Sequence, residues 1–405
     1  MNICVVGQGY VGLPISIHAA RSGFTVFAYD VDKEKIQNLI QGISSSPESS
    51  NEEILRLQAD KKLIFISNLR QDFNISIYVI AVPTPLNEHN QPDLSYLKSA
   101  CNAISEVIAP KSLIINESTS YIGTLRNLIK PIIDEKSKLT DLLYAVAPER
   151  IDPGNHVWNL SNTPRVVSGL NEVAIESAVK FYKKFCEHIH IVSKPEVAEA
   201  AKLIENTFRQ VNIALINEIS EIAVKSNFSI QDAILAASTK PFGFMPFYPS
   251  IGVGGHCIPV DPSYLIYSAN QVNIESKLIE FANIINLDRP KVVINLIENY
   301  LGAPLIGKRI QVVGISYKID VSDIRESPVL ALIHLMRSRG AQVTWCDPIV
   351  GRYLNETSSK LDLNIDLGLI ITPHSCIDLS VWKNAGTNVL DLVPNTINYG
   401  WDKFF

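Results

Sequence analysis

Short apolar segments alternate with longer, helix-like segments along the first half of the chain. Seven of them have the length of buried strands, and they lie at residues 3–7, 25–29, 63–66, 75–82, 113–116, 143–146 and 165–168. A chain that alternates strands with helices in this way predicts an α/β fold, in which helices cover a mostly parallel sheet.

The middle of the chain has a different pattern. Residues 195–227 place Ala, Leu, Ile and Glu at helical spacing, and no Gly or Pro follows Pro195 within that range. A continuous helix of this length would extend for roughly 45 Å. The helical pattern continues to about residue 300 and is interrupted by a Pro- and Gly-rich loop at residues 240–262.

The α/β pattern returns after a linker-like segment at residues 302–304. Strands are predicted at 310–314 and 342–346, with a helix between them at about 329–338. The segment 21–30 (RSGFTVFAYD) has a counterpart at 338–347 (SRGAQVTWCD), and both end in aspartate. We therefore expect two Rossmann-like domains, residues 1–194 and 303–405, joined by a central all-helical region at 195–302 that contains the long helix.

Composition narrows the class of function. The chain has 405 residues, of which 46% are apolar and 19% are charged, and its formal net charge is −5. Such a chain is globular, and it has no basic field to hold nucleic acid or an anionic membrane surface. No apolar run approaches the length that spans a bilayer. We expect a soluble, cytoplasmic protein whose partners are small molecules.

Six cysteines are scattered along the chain without a CxxC pair: Cys4, Cys101, Cys186, Cys257, Cys346 and Cys376. This spacing argues against a disulfide framework and against a cysteine-rich zinc site, and we expect no metal. Any cysteine chemistry must therefore come from a single thiol.

The loop after the first strand has the spacing of a phosphate-binding turn, and it reads Gly7-Gln8-Gly9-Tyr10-Val11-Gly12. The first glycine permits the tight turn, the second lets the backbone approach a pyrophosphate, and the third allows close packing of a helix that we expect to begin near Tyr10. Asp30 ends the next strand, where a carboxylate binds ribose hydroxyls and repels a 2′-phosphate. These features predict NAD as the cofactor, in preference to NADP. The positive charges of Lys33 and Lys35 weaken that preference. The alternative is a tight turn without a ligand.

A second Gly-rich segment surrounds one cysteine, and it reads Gly252-Val253-Gly254-Gly255-His256-Cys257-Ile258-Pro259-Val260-Asp261-Pro262. Its glycines allow close approach of a ligand, and His256 and Asp261 can tune the thiol. One alternative is a buried, inert cysteine. Beside a hydride acceptor, however, Cys257 can add to an aldehyde, and the resulting thiohemiacetal can be oxidised to a thioester.

Five motifs in order, spread over nearly the whole chain, resemble the UDP-glucose/GDP-mannose dehydrogenase family. They are residues 7–14 (GQGYVGLP), Pro148-Glu149-Arg150, the segment 202–206, Gly254-Gly255-His256-Cys257 with Asp261, and residues 314–318 (GISYK) through 325–328 (RESP). The resemblance implies an N-terminal NAD domain, a helical dimerising middle and a C-terminal domain that binds a UDP-sugar. It also implies oxidation of a sugar C6 alcohol to a carboxylate with two NAD per turnover, in the synthesis of a bacterial surface polysaccharide.

The resemblance assigns catalytic roles to Cys257, Lys202, Asn206, Asp261, Glu149 and Thr119. Lys202 and Asn206 stand one helical turn apart and would stabilise an oxyanion at the reacting carbon. Asp261 would help Lys202 and a water to take the alcohol proton, and Glu149 would activate water for thioester hydrolysis. Thr119 would order a water near the nicotinamide. Taken singly, each of these residues also fits an ordinary surface or loop position.

The same resemblance assigns ligand contacts. The cofactor-binding residues would be Gly7, Gln8, Gly9, Tyr10, Val11, Gly12, Asp30, Lys35, Val82, Thr84, Thr119 and Arg325. The substrate-binding residues would be Glu149, Arg150, Lys202, Asn206, Tyr248, Gly254, His256 and Lys318. Arg325 would reach NAD from the C-terminal domain, and the central helices would form a homodimer.

Two segments bear on the identity of the sugar. His256 and Val260 resemble the branch of the family that uses UDP-N-acetylhexosamines, and residues 240–249 (KPFGFMPFYP) resemble enzymes that act on UDP-N-acetylglucosamine. We favour UDP-N-acetylglucosamine, with UDP-N-acetylmannosamine and UDP-glucose as alternatives. Two departures from the family pattern bear on sugar affinity: Ser250-Ile251 replaces the usual Pro-Gly, and Asp391-Leu392-Val393-Pro394-Asn395 lacks the arginine common after that aspartate.

Two other classes of function remain open from the residues alone. A single-step hydroxyacid dehydrogenase also pairs a phosphate loop with a helix that bears Lys and Asn four residues apart, but it would not need Cys257. An NAD-responsive binding protein would keep the folds without turnover. Counting the NADH formed per sugar distinguishes these functions, because only the four-electron oxidation yields two NADH per sugar.

Overall fold

The computed structural model describes residues 1–44, 50–152, 155, 157–394, 399–401 and 404. The chain forms two compact units: the first comprises Met1–Glu205 and Ser263–Asn273, and the second comprises Asn206–Pro262 and Ile274–Phe405. Asn395, which ends the segment without the common arginine, lies outside the described residues. The division into three domains at residues 194 and 302 stays a prediction.

An eight-stranded sheet forms the centre of the first unit. Its strands are β1 (Asn2–Val6), β2 (Thr25–Tyr29), β3 (Leu63–Ile66), β4 (Ile75–Ile80), β5 (Leu113–Asn116), β6 (Leu143–Val146), β7 (Arg165–Gly169) and β8 (Ile189–Ile191). They lie in the order β3-β2-β1-β4-β5-β6-β7-β8, and β6 with β7 is the antiparallel pair. The order 3-2-1-4-5-6 is that of dinucleotide-binding folds, whose ligand crevice lies where β1 meets β4. The predicted, mostly parallel sheet is confirmed.

Helices cover both faces of this sheet. They are α1 (Gly12–Arg21), α2 (Lys33–Ile40), α3 (Asn51–Ala59), α4 (Ser95–Ser105), α5 (Lys130–Ser137) and α6 (Glu172–Tyr182), with a 3₁₀ turn at Gln71–Phe73 and a π-helical turn at Leu125–Ile129. Side chains alternate between faces along a strand, so Ile3 and Val5 pack into one apolar layer and Cys4 and Val6 into another. Burial on both sides explains why these strands read as unbroken apolar runs.

A helix of 32 residues, α7 (Pro195–Ser226), confirms the long central helix. It is followed by α8 (Ile230–Ser238), α9 (Asp261–Gln271) and α10 (Lys277–Leu301). The helical pattern predicted between the loop at 240–262 and residue 300 is therefore divided between α9 and α10. Over the residues that the structure describes, no helix is long and apolar enough to cross a membrane.

A smaller parallel sheet forms the centre of the second unit. Its strands are β9 (Arg309–Val313), β10 (Gln342–Cys346), β13 (Leu367–Ile370) and β14 (Val389–Asp391), beside a hairpin of β11 (Arg352–Tyr353) and β12 (Glu356–Thr357) and the helices α11 (Pro328–Ser338) and α12 (Ser380–Ala385). The order β10-β9-β13-β14 repeats the order β2-β1-β4-β5 of the first sheet. The prediction of two Rossmann-like domains is confirmed.

Candidate active site

The phosphate loop leaves β1 at Gly7, and its three glycines are required for different reasons. Gly7 has a φ of +95°, and a β-carbon there would lie 2.4 Å from the carbonyl oxygen of Ala81. A β-carbon at Gly12 would lie 1.8 Å from the carbonyl oxygen of Gly7, whereas one at Gly9 would meet nothing within 4 Å. Packing therefore explains the first and third glycines. The second keeps open space beside the backbone, as the approach of a pyrophosphate requires.

Tyr10 and Val11 complete this turn, and α1 begins at Gly12, two residues later than the sequence predicts. The helical hydrogen bonds nevertheless begin earlier, because the N–H of Leu13 already donates to the carbonyl of Gly9 (3.2 Å). The N-terminus of α1 thus follows the open glycine directly, which is the arrangement that favours an anion.

Asp30 fixes this loop from the end of β2. Its Oδ2 accepts hydrogen bonds from the backbone N–H of Gln8 (2.8 Å) and from Nζ of Lys35 (2.9 Å), and its Oδ1 accepts from the N–H of Asp32 (3.0 Å). Only 7% of the residue is exposed. The carboxylate therefore stands beside the loop where a ribose-binding acid is expected, and the residues present fit NAD.

Val82 and Thr84 follow β4 on the other side of the crevice. The N–H of Val82 donates to Oγ of Ser118 (2.9 Å), and Thr84 is buried. A β-carbon at Gly7 would lie 3.2 Å from Cα of Val82, so Val82 is beside the phosphate loop, and Thr84 follows two residues later. Their predicted contacts with the cofactor stay predictions.

The structure brings Thr119 and Lys202 together in one cleft. The residues lining it are Ser118, Thr119, Ser120, Val146, Pro148, Glu199 and Lys202. Thr119 follows β5, while Lys202 enters from α7 with only 7% of its surface exposed. A nearly buried lysine beside a hydroxyl can stabilise negative charge on a bound oxygen more strongly than it could in water.

Glu199 is a residue of this cleft that the sequence reasoning missed. Its carboxylate accepts the backbone N–H groups of Gly123 (2.5 Å) and Leu125 (2.9 Å). Burial raises the pKa of Glu199 to about 7, and these two hydrogen bonds oppose the rise. Glu199 thus ties α7 to the turn that follows Thr119. The signal in the sequence is a carboxylate between two alanines on a helix.

Glu149 and Arg150 lie in an adjoining cleft, which shares Pro148 with the first. Glu149 is buried, and its carboxylate accepts the N–H of Ile151. Arg150 pairs with Glu205 (2.7 Å) and donates to the carbonyl of Pro164 (2.7 Å). Glu149 therefore stands next to the Thr119 cleft with its side chain oriented, whereas Arg150 fixes the rim.

A buried ion pair links segments that line the two clefts. Arg165 donates to the carboxylate of Glu117 (2.5 Å), which also accepts the hydroxyl of Tyr182. Burial raises the pKa of Glu117, and the charge of Arg165 opposes that rise. Glu117 directly precedes the Ser118-Thr119 segment and Arg165 lines the Glu149 cleft, so the pair ties the segment that carries Thr119 to a wall of the Glu149 cleft.

In the second unit, Asn206 and Asp261 are brought together. Asn206 Nδ2 donates to Asp261 Oδ2 at 2.5 Å, and both residues are buried. The carbonyl of Cys257 accepts the N–H of Asp261 (2.9 Å) and of Val260 (3.2 Å). The thiol-bearing residue and the aspartate therefore share a single turn, and Asn206 fixes the carboxylate within it.

Cys257 differs from the other cysteines in its surroundings. Cys4, Cys101, Cys186 and Cys346 are buried, and burial raises the pKa of Cys101 to about 12 and that of Cys346 to about 11. Thiols held in the neutral form are unreactive. Cys257 is half-buried and lies in a turn, whereas Cys376 is exposed. Partial exposure is typical of nucleophilic cysteines.

The glycines before Cys257 pack against the segment that follows β9. A β-carbon at Gly254 would lie 2.8 Å from Cβ of Tyr317, and Gly255, with a φ of +86°, would bring one 2.9 Å from the ring of Tyr317. The N–H of Gly255 donates to the carbonyl of Arg325 (3.0 Å). Glycine is therefore needed here for contact within the protein as well as for any ligand, and His256 follows directly.

Three other predicted contacts of the second unit have defined positions. The guanidinium of Arg325 pairs with Asp323 at 2.6 Å. The carbonyl of Lys318 accepts Oγ of Ser316 (2.9 Å), and Tyr248 packs against the apolar core. The roles of Arg325, Lys318 and Tyr248 in binding ligands stay predictions.

The chain is similar to known proteins over most of its length. Residues 1–186, 196–288 and 311–391 match the NAD binding, central and UDP binding domain models of the UDP-glucose/GDP-mannose dehydrogenase family. The chain is 33% identical over 357 residues to a UDP-N-acetyl-D-glucosamine 6-dehydrogenase of Pseudomonas aeruginosa, covering 86% of this chain and 83% of that one. It is 33% identical over 396 residues to a UDP-N-acetyl-D-mannosamine dehydrogenase of Pyrococcus horikoshii, covering 96% and 93%. A solved structure of the UDP-D-ManNAc dehydrogenase from Pyrococcus horikoshii superposes with a TM-score of 0.87 at 31% identity, covering 98% and 96%.

Proposed function

The chain belongs to the UDP-glucose/GDP-mannose dehydrogenase family and is an NAD-dependent dehydrogenase, and from that premise we propose that it oxidises the C6 hydroxyl of a UDP-N-acetylhexosamine to the carboxylate. The observation that carries the proposal is the Cys257 turn. A half-buried thiol shares that turn with Asp261, which is fixed by Asn206. A single-step dehydrogenase has no need of such a thiol.

In the first oxidation the alcohol at C6 loses a proton and a hydride and becomes an aldehyde. NAD, when bound, accepts the hydride in this step and in the second oxidation. Lys202, nearly buried in its cleft, stabilises the developing alkoxide with its positive charge. The Asn206 amide adds a hydrogen bond, and Asp261 with a water receives the alcohol proton.

In the second half of the reaction the Cys257 thiolate adds to C6 of the aldehyde and forms a thiohemiacetal. Loss of the hydroxyl proton and of a second hydride from C6 converts that adduct to a thioester. Water then cleaves the C–S bond, which releases the sugar carboxylate and returns the thiol. Thr119 orders this water and the oriented Glu149 carboxylate removes its proton.

We favour UDP-N-acetylglucosamine as the substrate. The support is the His256 branch of the family and the sequence of residues 240–249, within which Tyr248 packs on the core. Relatives of equal identity act on the glucosamine and mannosamine sugars, so UDP-N-acetylmannosamine is the alternative. The test incubates the protein with NAD and each of these UDP-sugars or UDP-glucose, identifies the acid by mass spectrometry and measures kcat/KM from the rate of NADH formation. A higher kcat/KM for the mannosamine sugar would overturn the assignment.

We further propose a homodimer through the central helices. Phe208, Leu215 and Ile222 of α7 are 46%, 54% and 53% exposed, and their spacing of seven places them on one stripe. Leu278 and Phe281 of α10 are exposed as well. A large exposed apolar surface marks an interaction site. Light scattering should give twice the chain mass for the wild-type protein and the single-chain mass for Leu215→Glu combined with Ile222→Glu.

A further inference from the structure

Arg289 is fully buried in α10 and has no part in the chemistry above. Its Nε donates to the carbonyl of Ser250 (3.0 Å), its Nη1 to the carbonyl of Asn217 (3.1 Å) and its Nη2 to Oγ of Ser220 (2.6 Å). Nη1 also lies 3.1 Å from a carboxylate oxygen of Glu221. Burial lowers the pKa of Arg289 to about 10, and Glu221 opposes that shift, so the guanidinium is charged at neutral pH. A buried charge with this many partners holds them in place.

Ser250, which begins the loop leading to Cys257, is held through both of its backbone polar groups. Its N–H donates to Oδ1 of Asn217 (2.8 Å), while its carbonyl accepts from Arg289. Asn217 is fixed in turn by donating to Oδ1 of Asn286 (3.1 Å). At this position the chain departs from the usual proline of the family, which has no N–H to donate. Ser250 is therefore tied to α7 and α10 at once.

Pro290 leaves the carbonyl of Asn286 without its usual helical donor, and the next part of the loop lies against that carbonyl. Proline inside a helix cannot donate to the carbonyl four residues earlier, which in α10 is that of Asn286. Gly252 lies against this carbonyl: it has a φ of +133°, and a β-carbon there would be 3.0 Å from the oxygen. The loop is thus seated on α10 by Ser250 and by Gly252.

We propose that Arg289 is a positioning residue for Cys257, because it fixes one end of the loop whose other end is held by the bond from Gly255 to Arg325. The inference rests on the proposed function, since it concerns the step that needs the thiol. Lysine cannot replace Arg289, because its single ammonium cannot reach acceptors that the guanidinium fork meets on several sides.

The experiment compares Arg289→Lys with the wild type and with Arg339→Lys, a control that alters the exposed pair of Arg339 with Glu298 in the same unit. Semicarbazide in the assay traps aldehyde released before Cys257 captures it, so the ratio of trapped aldehyde to acid reports thiol capture. Hydrogen exchange of peptides that cover residues 250–257 reports loop order without substrate.

For Arg289→Lys we expect the ratio of trapped aldehyde to acid to rise at least about tenfold, because small misplacements of a reacting group cost one to two orders of magnitude in rate. Exchange across residues 250–257 should be faster than in the wild type, and Arg339→Lys should match the wild type in both measurements. Equal losses in both oxidations, with an unchanged ratio, would overturn the inference and leave the proposed function intact.

Ser220→Ala removes one acceptor of Arg289 and provides a milder variant if Arg289→Lys does not fold. We expect its aldehyde ratio to shift in the same direction by about two- to threefold, in keeping with the loss of one hydrogen bond. No shift in this folded variant would overturn the inference. If the wild-type protein forms no acid from any UDP-N-acetylhexosamine, the proposed function fails, and the inference fails with it.

Discussion

In the first unit Gly7 directly follows β1, and in the second Gly314 directly follows β9. Both glycines have positive φ, and both donate an N–H to the last carbonyl of the neighbouring strand, at 2.8 Å to Tyr29 and 2.9 Å to Cys346. Each loop is then fixed by an aspartate that accepts a backbone N–H at 2.8 Å, Asp30 in the first and Asp347 in the second. The two turns therefore share the same backbone arrangement and the same pattern of hydrogen bonds.

The turns differ in the residues after the first glycine. Position Gly9 of the first loop is open, whereas its counterpart Ser316 is buried and bonded within its own loop. Asp347 and His374 are both fully buried. Nδ1 of His374 accepts a hydrogen bond from the N–H of Asp320 (2.8 Å), so the ring proton is on Nε2. Nε2 donates it to the carboxylate of Asp347 (3.0 Å). The first glycine and the aspartate thus build the turn, and the later positions decide whether it can take a dinucleotide.

The largest effect is expected from the feature that the turns share. A β-carbon would lie 2.4 Å from a backbone oxygen at Gly7 and 2.0 Å at Gly314. We expect Gly7→Ala and Gly314→Ala each to lower the free energy of unfolding by roughly 3 kcal/mol or more, from the clash added to the strain of positive φ. Urea unfolding measures this.

Gly307→Ala is the matched control for that pair, because Gly307 also has positive φ but nothing lies within 4 Å of its added β-carbon. It should cost about 1 kcal/mol, from backbone strain alone. Equal losses for Gly307→Ala and Gly314→Ala would show that the close approach of the strands does not matter.

The next largest effect is expected from the partners of the two aspartates, His374 for Asp347 and Lys35 for Asp30. His374→Leu removes a buried hydrogen bond to a carboxylate, and we expect a loss of roughly 2–3 kcal/mol in the free energy of unfolding. Lys35→Met removes the partner of Asp30 on a side chain that is 40% exposed, and it should cost less than about 1 kcal/mol. A reversed order in urea unfolding would contradict the comparison.

Gly9→Ala tests the open position. Since nothing in the protein lies near the added β-carbon, the free energy of unfolding should change by less than about 1 kcal/mol. The Kd for NAD should rise about tenfold or more, because the backbone can no longer approach the pyrophosphate. Ser316→Ala, at the counterpart position, should leave the Kd for NAD unchanged. Calorimetric titration measures both, and an unaltered Kd in Gly9→Ala would contradict the assignment of the loop.

The last effect is a difference in pH dependence. Glu199 has its pKa raised to about 7 by burial, so between its unfolded pKa and pH 7 the folded state binds the extra proton. Its contribution to stability is therefore lost as pH rises through 7. We expect the free energy of unfolding of the wild type, relative to that of Glu199→Gln, to fall by roughly 2 kcal/mol from pH 5 to pH 8.

The contribution of Asp347 to stability should depend on pH in the opposite direction. Burial favours its neutral form, but hydrogen bonds from His374 and from the N–H groups of Val350 and Ile315 prevail and lower its pKa. Its contribution is present above the unfolded pKa and is lost as pH falls through the folded one. The loss in free energy of unfolding caused by Asp347→Asn should therefore be largest at neutral pH. If this loss instead became smaller as pH rises, the lowered pKa of Asp347 would be contradicted.

The central strands, the phosphate loop and Asp30 could be predicted from the sequence because each depends on residues close together along the chain. The edge strand β8 was missed because two of its three residues are exposed. β13 was missed because Gly368 interrupts its apolar run, and that glycine leaves room for the ring of Trp382, 2.6 Å from where a β-carbon would be.

The positions of Glu199 and Arg289 could not have been predicted from local patterns. Their partners are backbone groups far away in sequence: the N–H groups of Gly123 and Leu125 in one case and the carbonyl of Ser250 in the other. A backbone group carries no side-chain signal, so such a contact becomes visible only once the fold brings the segments together. The family resemblance supplied the roles of Cys257 and its neighbours, which no periodicity reveals.

The most direct test of the central claim counts NADH formed per UDP-sugar consumed, in the wild type, in Cys257→Ser and in Cys376→Ser, which alters the exposed cysteine. The account predicts two NADH and one carboxylate per sugar for the wild type and for Cys376→Ser, and no carboxylate for Cys257→Ser. Two NADH and full carboxylate formation by Cys257→Ser would contradict it.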